Sequence, residues 1–293
     1  MRYIELKSLA KINLGLDVLG KRENGYHDVR MVMQTIYLYD DIKIEVRNTG
    51  GISLESNLYY LPLNENNIAY QAAKLLMDEF HIESGVHITL KKHIPVAAGL
   101  AGGSGNAAAV LFGINRLFDL RLTQKELMDR GVRLGADVPY CIMRGTVLAE
   151  GIGEKLTRLL PMPKCYVLIA KPPINVSTKV VYEKLDAGAI VKHPDIDGII
   201  QGLQVGDLQQ VVRNMGNVLE DVTIGDYPVI EEIKEIMKSK GAYNAMMSGS
   251  GPTVFGLYAR RKDAKAAIQL IKKKGLAKQI YLTNVHNVKG GEE

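Results

Sequence analysis

The glycine-rich loop at residues 95–106 reads Pro95-Val96-Ala97-Ala98-Gly99-Leu100-Ala101-Gly102-Gly103-Ser104-Gly105-Asn106, and the alanine-rich run Ala107-Ala108-Ala109-Val110-Leu111 follows it directly. Glycines at this density let backbone N–H groups turn toward one point. A helix that begins at Ser104 or Asn106 adds its unpaired N–H groups and the positive end of its dipole. The stretch therefore predicts a phosphate-binding loop that opens a helix, with a tight turn that packs a helix on a strand as the alternative.

The residue sequence of this loop excludes one phosphate-binding motif and argues against another. A Walker A loop requires a lysine after its second glycine, but no lysine occurs between Lys92 and Lys125. A dinucleotide fingerprint fits residues 103–108, yet it should start at the end of its strand, whereas Pro95 already closes the predicted strand over 86–92. We therefore expect backbone N–H groups and serine to hold the phosphates. A nicotinamide-dependent oxidoreductase stays open as an alternative.

Composition indicates a globular chain, and its net positive charge is compatible with an anionic ligand. The 293 residues are 46% apolar, enough for two domains or one large one. Much of the net charge of +5 comes from residues 260–262 and 272–274, which flank a predicted helix without interleaved aromatic residues, so we expect no nucleic-acid partner. The uncharged stretch over 93–114 contains a proline and five glycines, which argues against a membrane span. A charged N-terminus argues against a signal peptide, and we expect a cytoplasmic location.

The cysteines and histidines give no sign of a structural metal. Cys141 and Cys165 lack the C-x-x-C spacing of a metal site and are expected to be reduced core residues. The six histidines show no H-E-x-x-H pairing. We expect neither a disulfide framework nor a structural metal.

The first half of the chain predicts an α+β domain. Strands are expected over 3–9, 12–19, 26–39 and 41–46, with Glu23-Asn24-Gly25 as a hairpin turn. Helical periodicity follows over 66–80, 106–118 and 123–134, and a strand lies over 86–92. Helices should therefore cover a mixed or antiparallel sheet.

Pro161-Met162-Pro163 marks the expected boundary between two domains, residues 1–160 and 161–293. Beyond it, strands are predicted over 165–170, 243–247, 253–258 and 279–285, and helices over 176–185, 196–204, 208–219, 229–239 and 263–274. The order strand-helix-strand-strand-helix-strand indicates a ferredoxin-like sandwich with helical insertions.

Two side chains are candidates for chemistry beside a bound phosphate. Asp137 is predicted to lie in a break between a helix and a strand, where its carboxylate can project; an Asx-turn or helix cap is the alternative. Lys11 interrupts an apolar strand, which is costly unless an anion pairs with it; an edge lysine facing water is the alternative. Near Asp137, Lys11 would keep the carboxylate ionised and stabilise an alkoxide as a substrate hydroxyl loses its proton.

A second glycine-serine loop joins two predicted strands near the end of the chain. It reads Met247-Ser248-Gly249-Ser250-Gly251-Pro252-Thr253, longer than a plain hairpin requires. Such a loop can bring N–H groups to a second phosphate, with a flexible turn as the alternative.

Together these motifs resemble the GHMP kinases, the superfamily of galactokinase, homoserine kinase and mevalonate kinase. The lysine-bearing strand around Lys11, the Pro-x-x-x-Gly-Leu-x-x-x-Ser loop from Pro95 to Ser104 and the Ser-Gly-Ser-Gly loop at 248–251 occur in the expected order. The resemblance covers nearly the whole chain. It implies a two-domain GHMP kinase fold and ATP-dependent phosphorylation of a small molecule.

Within the superfamily, the sequence is similar to the branch that phosphorylates the 2-hydroxyl of 4-diphosphocytidyl-2-C-methyl-D-erythritol in the non-mevalonate route to isoprenoids. The similarity lies in Ala10-Lys11-Ile12-Asn13-Leu14, Asn24-Gly25-Tyr26-His27, Gly102-Gly103-Ser104 with Asn106-Ala107-Ala108, and Leu134-Gly135-Ala136-Asp137-Val138-Pro139. Alternatives are a homoserine- or mevalonate-type kinase and a nucleotide-responsive protein without catalysis.

The resemblance implies a role for each of these residues. Asp137 would be the base, Lys11 its charged partner, and Asn13 a contact near the reacting end of the substrate. Tyr26 would stack on cytosine and His27 would hydrogen-bond it, as suits a flat pyrimidine with a polar edge. The remaining assignments are Tyr182 as a second aromatic wall, Ser248, Gly249, Ser250 and Gly251 at the substrate, residues 95–105 at ATP, and Asn66 and Lys92 at adenine.

One position departs from the family pattern. The family's loop usually carries a second serine where this chain has Gly105, so a hydroxyl contact to phosphate or magnesium falls to Ser104. Mg²⁺ is expected because it neutralises charge on the transferring phosphoryl group, and its carboxylate ligand is not assigned. The sequence leaves open a monomer or a homodimer.

Overall fold

Two long antiparallel strands form the centre of the first half of the chain. The computed structural model describes residues 2–288. In it β1 (Tyr3–Lys21) and β2 (His27–Arg47) are joined by the predicted turn, where Gly25 has φ +85°. The four strands predicted here are therefore wrong as separate elements. The expected break before Ile12 is a β-bulge between Leu9 and Ala10, which shifts the register without ending the strand.

The sheet around these two strands is mixed and has seven strands. β3 (Ile52–Ser56) runs parallel to β4 (Gly85–Lys91), and β4 pairs antiparallel with the second half of β2. β5 (Thr146–Gly151) pairs with the first half of β2 and with β6 (Lys155–Arg158). The seventh strand comes from the second half of the chain.

Four helices accompany this sheet: α1 (Ile68–Glu79), α2 (Gly102–Leu117), α3 (Gln124–Gly131) and α4 (Val138–Met143). α2 packs against α1 and β1, and its alanines at 107–109 are buried. Small side chains allow this close approach, so the start of α2 lies directly beside the central strand. Among the described residues, no helix has the length and apolar character required to cross a membrane.

The second half contains β7 (Tyr166–Lys171), α5 (Thr178–Lys184), a 3₁₀ helix (Ala187–Ala189), α6 (Ile196–Val205), α7 (Leu208–Asn214), β8 (Gly216–Asn217), α8 (Glu220–Asp226), α9 (Val229–Ser239), β9 (Asn244–Met247), β10 (Val254–Tyr258), α10 (Arg261–Lys273) and β11 (Gln279–Asn284). Its antiparallel sheet has the order β11-β7-β10-β9, with α9 and α10 packed on it. This is the predicted ferredoxin-like sandwich, and the helical insertions lie between β7 and β9.

The predicted helix over 208–219 is wrong beyond Asn214. Gly216 and Asn217 instead form β8, which pairs parallel with Gly15 and Leu16 of β1 and completes the first sheet. β6 belongs to the first sheet and β7 to the second, which supports a domain boundary after residue 160. The boundary itself stays a prediction. Cys141 and Cys165 are buried free thiols, and burial raises the pKa of Cys165 to about 12.

Candidate active site

Two cavities meet at the phosphate loop. The first, called here the loop cavity, has a volume of about 390 Å³ and is lined by residues 95–104, Asn66, Lys92 and their neighbours. The second, called here the cleft, measures about 730 Å³ and extends from the loop to the turn between β1 and β2. Gly99 and Ser104 line both. A ligand in the loop cavity can therefore touch a ligand in the cleft at these residues.

The loop presents its backbone in the way an anion requires. Ala97, Gly99 and Ala101 all have positive φ, at +49°, +70° and +56°, so the chain turns repeatedly over this short segment. α2 begins at Gly102, earlier than the predicted start at 104 or 106, and no side chain caps it. The N–H groups of its first turn are thus left for a ligand.

Both halves of the molecule hold the loop in place. The N–H of Lys11 donates to the carbonyl of Leu100 at 3.1 Å, and the hydroxyl of Ser248 donates to the carbonyl of Gly99 at 2.9 Å. A Cβ at Gly99 would collide with the carbonyl oxygen of Ser248. Glycine is therefore required at 99 both by its positive φ and by this close approach.

Lys11 and Asp137 lie together in the cleft. The ammonium of Lys11 is 3.8 Å from Oδ2 of Asp137 and donates to Oδ1 of Asn13 at 2.7 Å. Lys11 and Asn13 are buried, whereas the Asp137 side chain is 35% exposed. The lysine therefore does not face water from an edge strand. Its amine is directed to two oxygen atoms beside the phosphate loop.

The backbone around Asp137 differs from the prediction. The residue precedes a short helix, α4, and not a strand. It occupies the N-cap position, yet its side chain makes no capping hydrogen bond. The alternative interpretation as a cap is therefore wrong, and the carboxylate is free to act on a group in the cleft.

Aromatic side chains occupy the far end of the cleft. Tyr26, His27 and Tyr182 all line it, and the rings of His27 and Tyr182 lie 5.2 Å apart between centroids at an interplanar angle of 40°. Tyr26 is 59% exposed, whereas His27 is buried. Burial lowers the pKa of His27, and the charge of Lys21 lowers it further. The imidazole is therefore neutral at neutral pH and has one nitrogen to donate and one to accept.

The second glycine-serine loop contributes only its middle to the cleft. Gly249 and Ser250 line the cleft, but Ser248 and Gly251 do not. Ser248 is buried against Gly99, and its carbonyl accepts the N–H of Gly251 at 3.0 Å. These two residues shape the loop, so the structure does not bring all four predicted residues to the cleft.

Two residues that sequence reasoning missed support this loop. Asn217 of β8 donates to the carbonyls of Met247 and Gly249 at 2.9 and 2.8 Å. Thr178, the first residue of α5, shares a 2.7 Å hydrogen bond with Ser250 and lines the cleft itself. Neither lies in a recognisable motif, and only the fold places them here.

Gly105 does not reach the loop cavity. α2 begins at Gly102, so Gly105 lies in its first turn and faces the sheet. A Cβ at Gly105 would lie 2.6 Å from Oγ of Ser8 and 3.3 Å from the carbonyl oxygen of Leu9. Its N–H bonds the carbonyl of Ala101 at 2.8 Å. The predicted ATP contact at Gly105 is thus not supported. The glycine makes room for Ser8.

Lys92 lines the loop cavity, but the protein itself holds its polar groups. Its ammonium pairs with buried Asp40 and donates to Oδ1 of Asn106 at 2.7 Å. Its N–H and C=O both bond the side chain of Asn57. Burial lowers the pKa of Lys92, and Asp40 opposes this effect. The adenine contact stays a prediction, and the observed role of the amine is to anchor α2 through Asn106.

Sequence comparisons identify two matching domain families. The model of the GHMP kinases N terminal domain matches residues 67–145, and that of the GHMP kinases C terminal domain matches residues 199–276. The chain is 58% identical to a 4-diphosphocytidyl-2-C-methyl-D-erythritol kinase of Lachnospira eligens, over 97% of this chain and 98% of that one. It is 49% identical to the enzyme of the same name from Clostridium perfringens, over 97% and 99% of the two chains.

Solved structures agree on the fold. A crystal structure of 4-(cytidine 5'-diphospho)-2C-methyl-D-erythritol kinase superposes with a TM-score of 0.83 at 28% identity, covering 97% of this chain and all of that one. Homoserine kinase from Cytophaga hutchinsonii gives 0.80 at 21% identity over 97% and 95% of the chains, a likeness of fold alone. The chain therefore belongs to the GHMP kinase family, together with the 4-diphosphocytidyl-2-C-methyl-D-erythritol kinases of these bacteria.

Proposed function

We propose that this chain transfers the γ-phosphoryl group of ATP to the 2-hydroxyl of 4-diphosphocytidyl-2-C-methyl-D-erythritol, giving the 2-phosphate and ADP, in the non-mevalonate route to isoprenoid precursors. Relatives at 49% and 58% identity over nearly the full length carry the corresponding name. The observation that carries the proposal is the junction of the two cavities at Gly99 and Ser104, with Lys11 and Asp137 on the cleft side of it.

ATP occupies the loop cavity in this proposal. The triphosphate lies on the N–H groups of residues 97–103 and on the start of α2, whose dipole favours negative charge. Adenine lies toward Asn66 at the other end of the cavity. This orientation brings the γ-phosphate to Ser104, where the cavity opens into the cleft.

The acceptor occupies the cleft with its 2-hydroxyl beside Asp137. The carboxylate of Asp137 takes the hydroxyl proton as the oxygen attacks the γ-phosphorus, the new O–P bond forms, and the bond to the β–γ bridging oxygen breaks to release ADP. The ammonium of Lys11 stabilises the negative charge that develops on the attacking oxygen. Asn13 holds Lys11 in position through its 2.7 Å hydrogen bond.

The donor set fits a Mg²⁺ ion that arrives with ATP. Mg²⁺ in nucleotide sites is held by few protein groups, such as one or two carboxylates or a serine or threonine hydroxyl, with phosphates and water completing its shell. Among residues 2–288, no group of three or more histidine, cysteine or acidic side chains forms a dedicated metal site. The hydroxyl of Ser104, which lines both cavities, is the protein oxygen we assign to the ion. When bound, Mg²⁺ neutralises charge on the phosphates.

The cytidine end of the acceptor lies among Tyr26, His27 and Tyr182. The two tyrosine rings offer flat faces for the pyrimidine, and neutral His27 offers both a donor and an acceptor to its polar edge. The exposed position of Tyr26 is consistent with a ring that awaits a stacking partner. Homoserine has no aromatic base that could stack on the two tyrosines or hydrogen-bond His27, so the aromatic end of the cleft favours the cytidyl substrate.

A coupled ADP-release assay tests the proposal. ATP, Mg²⁺ and either the cytidyl methylerythritol substrate or homoserine are supplied to the wild type and to Asp137→Asn. We expect ADP release with the cytidyl substrate alone, and its loss in the variant. Turnover of homoserine but not of the cytidyl substrate would reject the assigned acceptor, and unchanged turnover in Asp137→Asn would reject the assigned base. The cytoplasmic location and the oligomeric state stay predictions.

A further inference from the structure

A third cavity lies farther along α2, beside the middle and the C-terminal part of the helix. Its volume is about 720 Å³, close to that of the cleft, and it shares no lining residue with the cleft or the loop cavity. α2, α3 and α4 form its walls, together with the start of β1, His286 and Val288. We call it the α2–α4 cavity. A space of this size is typical of a small-molecule site, and the proposed kinase reaction does not use it.

The charge of the α2–α4 cavity is strongly unbalanced. Four of its described lining residues, Lys7, Arg116, Arg121 and Arg144, carry cationic side chains, and Asp119 is the one carboxylate among them. Asp119 pairs with Arg121 at 3.1 Å. Within residues 2–288, neither Arg116 nor Arg144 pairs with any carboxylate. The cavity therefore offers two guanidinium groups to an anion.

Arg144 combines a partly buried charge with an unusual backbone. Its φ of +59° and ψ of 177° lie in a region that residues other than glycine rarely adopt. Its guanidinium donates to the carbonyls of Cys141 and Lys7 at 3.4 and 3.3 Å, and burial lowers its pKa. Two long hydrogen bonds to neutral oxygens compensate a partly buried cation poorly, so an anion at this position would be strongly favoured.

Apolar side chains line one part of the cavity, beside polar residues such as Asn115 and Gln124. Phe112 is 38% exposed although it lies in the middle of α2, and the guanidinium of Arg116 lies 5.4 Å from the centre of its ring. Leu122, Ile142 and Met143 line the cavity as well. A fitting ligand thus has an apolar body beside Phe112 and a group with more than one negative charge toward the arginines.

We propose that the α2–α4 cavity is a second ligand site, which takes a phosphate monoester with a compact apolar body. The site has a direct route to the reaction, because Asp137 and Arg144 are the residues that flank the two ends of the six-residue helix α4. A ligand that draws Arg144 inward acts on the same short helix that positions Asp137. Occupancy of the α2–α4 cavity therefore changes turnover.

Calorimetric titration with phenyl phosphate tests the site. The protein is first saturated with ADP and cytidine 5'-diphosphate, so that the loop cavity and the cleft are filled. We expect one equivalent of phenyl phosphate to bind and phenol not to bind. Arg116→Gln and Arg144→Gln should each weaken binding at least about tenfold, the loss of one charge-assisted contact. Arg261→Gln removes an exposed arginine of α10 that does not line the α2–α4 cavity, and should bind phenyl phosphate like the wild type.

Three outcomes would overturn the proposal. Phenyl phosphate that does not bind the saturated wild type, or that binds both Arg116→Gln and Arg144→Gln as it binds the wild type, excludes the ligand site. Turnover that phenyl phosphate leaves unchanged at saturation excludes the coupling to Asp137. Arg116 is exposed at the surface of α2, so its variant keeps the test valid even if Arg144→Gln fails to fold. The binding arm does not depend on the identity of the phosphoryl acceptor.

Discussion

The ammonium of Lys11 lies 3.8 Å from Oδ2 of Asp137, although β1 and the N-cap of α4 are far apart in the sequence. Asn13, two residues along the same strand, holds the ammonium at 2.7 Å. The pair is positioned by two different supports, a bulged strand that also bonds the phosphate loop and a helix that leaves its N-cap side chain free. Removal of either charge should therefore affect the reaction more than the fold.

Asp137→Asn should lower kcat about 10²- to 10⁴-fold, the usual contribution of a general base. The KM for ATP should change little, because Asp137 does not line the loop cavity. Steady-state ADP release at saturating substrates measures both quantities. Asp129→Asn, which alters an exposed carboxylate of α3, is the matched control and should behave like the wild type. A variant at 137 with normal kcat would contradict the assignment.

Tyr26→Ala should raise the KM for the cytidyl substrate about tenfold, since stacking of an aromatic ring on a base contributes about 1–3 kcal/mol. Its unfolding free energy should stay within about 0.5 kcal/mol of the wild type, because the side chain is largely exposed. Initial-rate kinetics and urea unfolding provide the two measurements. Tyr3→Ala, at a similarly exposed tyrosine outside the cleft, should leave the KM unchanged.

The affinity for the cytidyl substrate should fall in acid. Burial lowers the pKa of His27, so the imidazole is neutral at neutral pH and gains a proton only below its usual range. That proton removes the acceptor nitrogen offered to cytosine. A profile of kcat/KM at saturating ATP between about pH 5 and 8 should therefore drop on the acid side. The drop should be absent in His27→Gln and retained in His87→Gln, which changes a histidine of β4.

The same shift has a defined effect on stability. The unfolded chain binds a proton at His27 more readily than the folded one, so this residue lowers stability as the pH falls through the unfolded pKa, near 6.5. The loss stops below the folded pKa, where both states are protonated. Urea unfolding of the wild type and His27→Gln across this range measures the difference. Parallel curves would contradict the lowered pKa.

Gly105→Ser should destabilise the protein by about 1–3 kcal/mol, because the new Cβ would lie 2.6 Å from Oγ of Ser8. Ser8→Ala removes that oxygen, and the new hydroxyl at 105 then takes over the bond that Asn106 makes to Ser8. The double variant should therefore be more stable than Gly105→Ser alone. Additive losses in the double-mutant cycle would show that the two positions are not in contact.

Lys92→Met should destabilise the protein by about 3–5 kcal/mol, because it leaves the carboxylate of Asp40 buried without its cation. Lys91→Met, at the exposed neighbouring lysine, is the control and should have little effect. Urea unfolding monitored by circular dichroism compares the two. Equal stability of both variants would mean that the N–H donors of His93 and Ile94 and the amide of Asn106 satisfy Asp40 on their own.

The sequence predicts best where a local backbone requirement dictates the residue. The glycines of the phosphate loop and the turn at Gly25 follow from such requirements. The four strands of the second sheet are also predicted close to where they lie. The start of α2 could not be predicted in this way, since Ala101 adopts a left-handed conformation that is unusual for alanine. The bulge before Lys11 likewise results from the pairing of β1 with β2, which no local pattern reveals.

The parts of the site that could not be predicted depend on contacts between distant residues. Asn217 and Thr178 act through their positions in β8 and α5, not through a motif. For Lys92, the resemblance to the family predicts a contact with adenine. In the structure its amine instead pairs with buried Asp40. Neighbours in space, which the sequence does not show, decide each of these roles.

The hydrogen bond from Ser248 to Gly99 makes the position of the phosphate loop, and with it the turnover, depend on how the two halves of the chain pack together. The residues are 149 positions apart, and one belongs to each half of the chain. A small opening between the halves would withdraw the hydroxyl that fixes the phosphate loop while both sheets remain intact. On gentle heating, turnover should therefore disappear before circular dichroism changes, and bound nucleotide should delay that loss because it holds the phosphate loop in place.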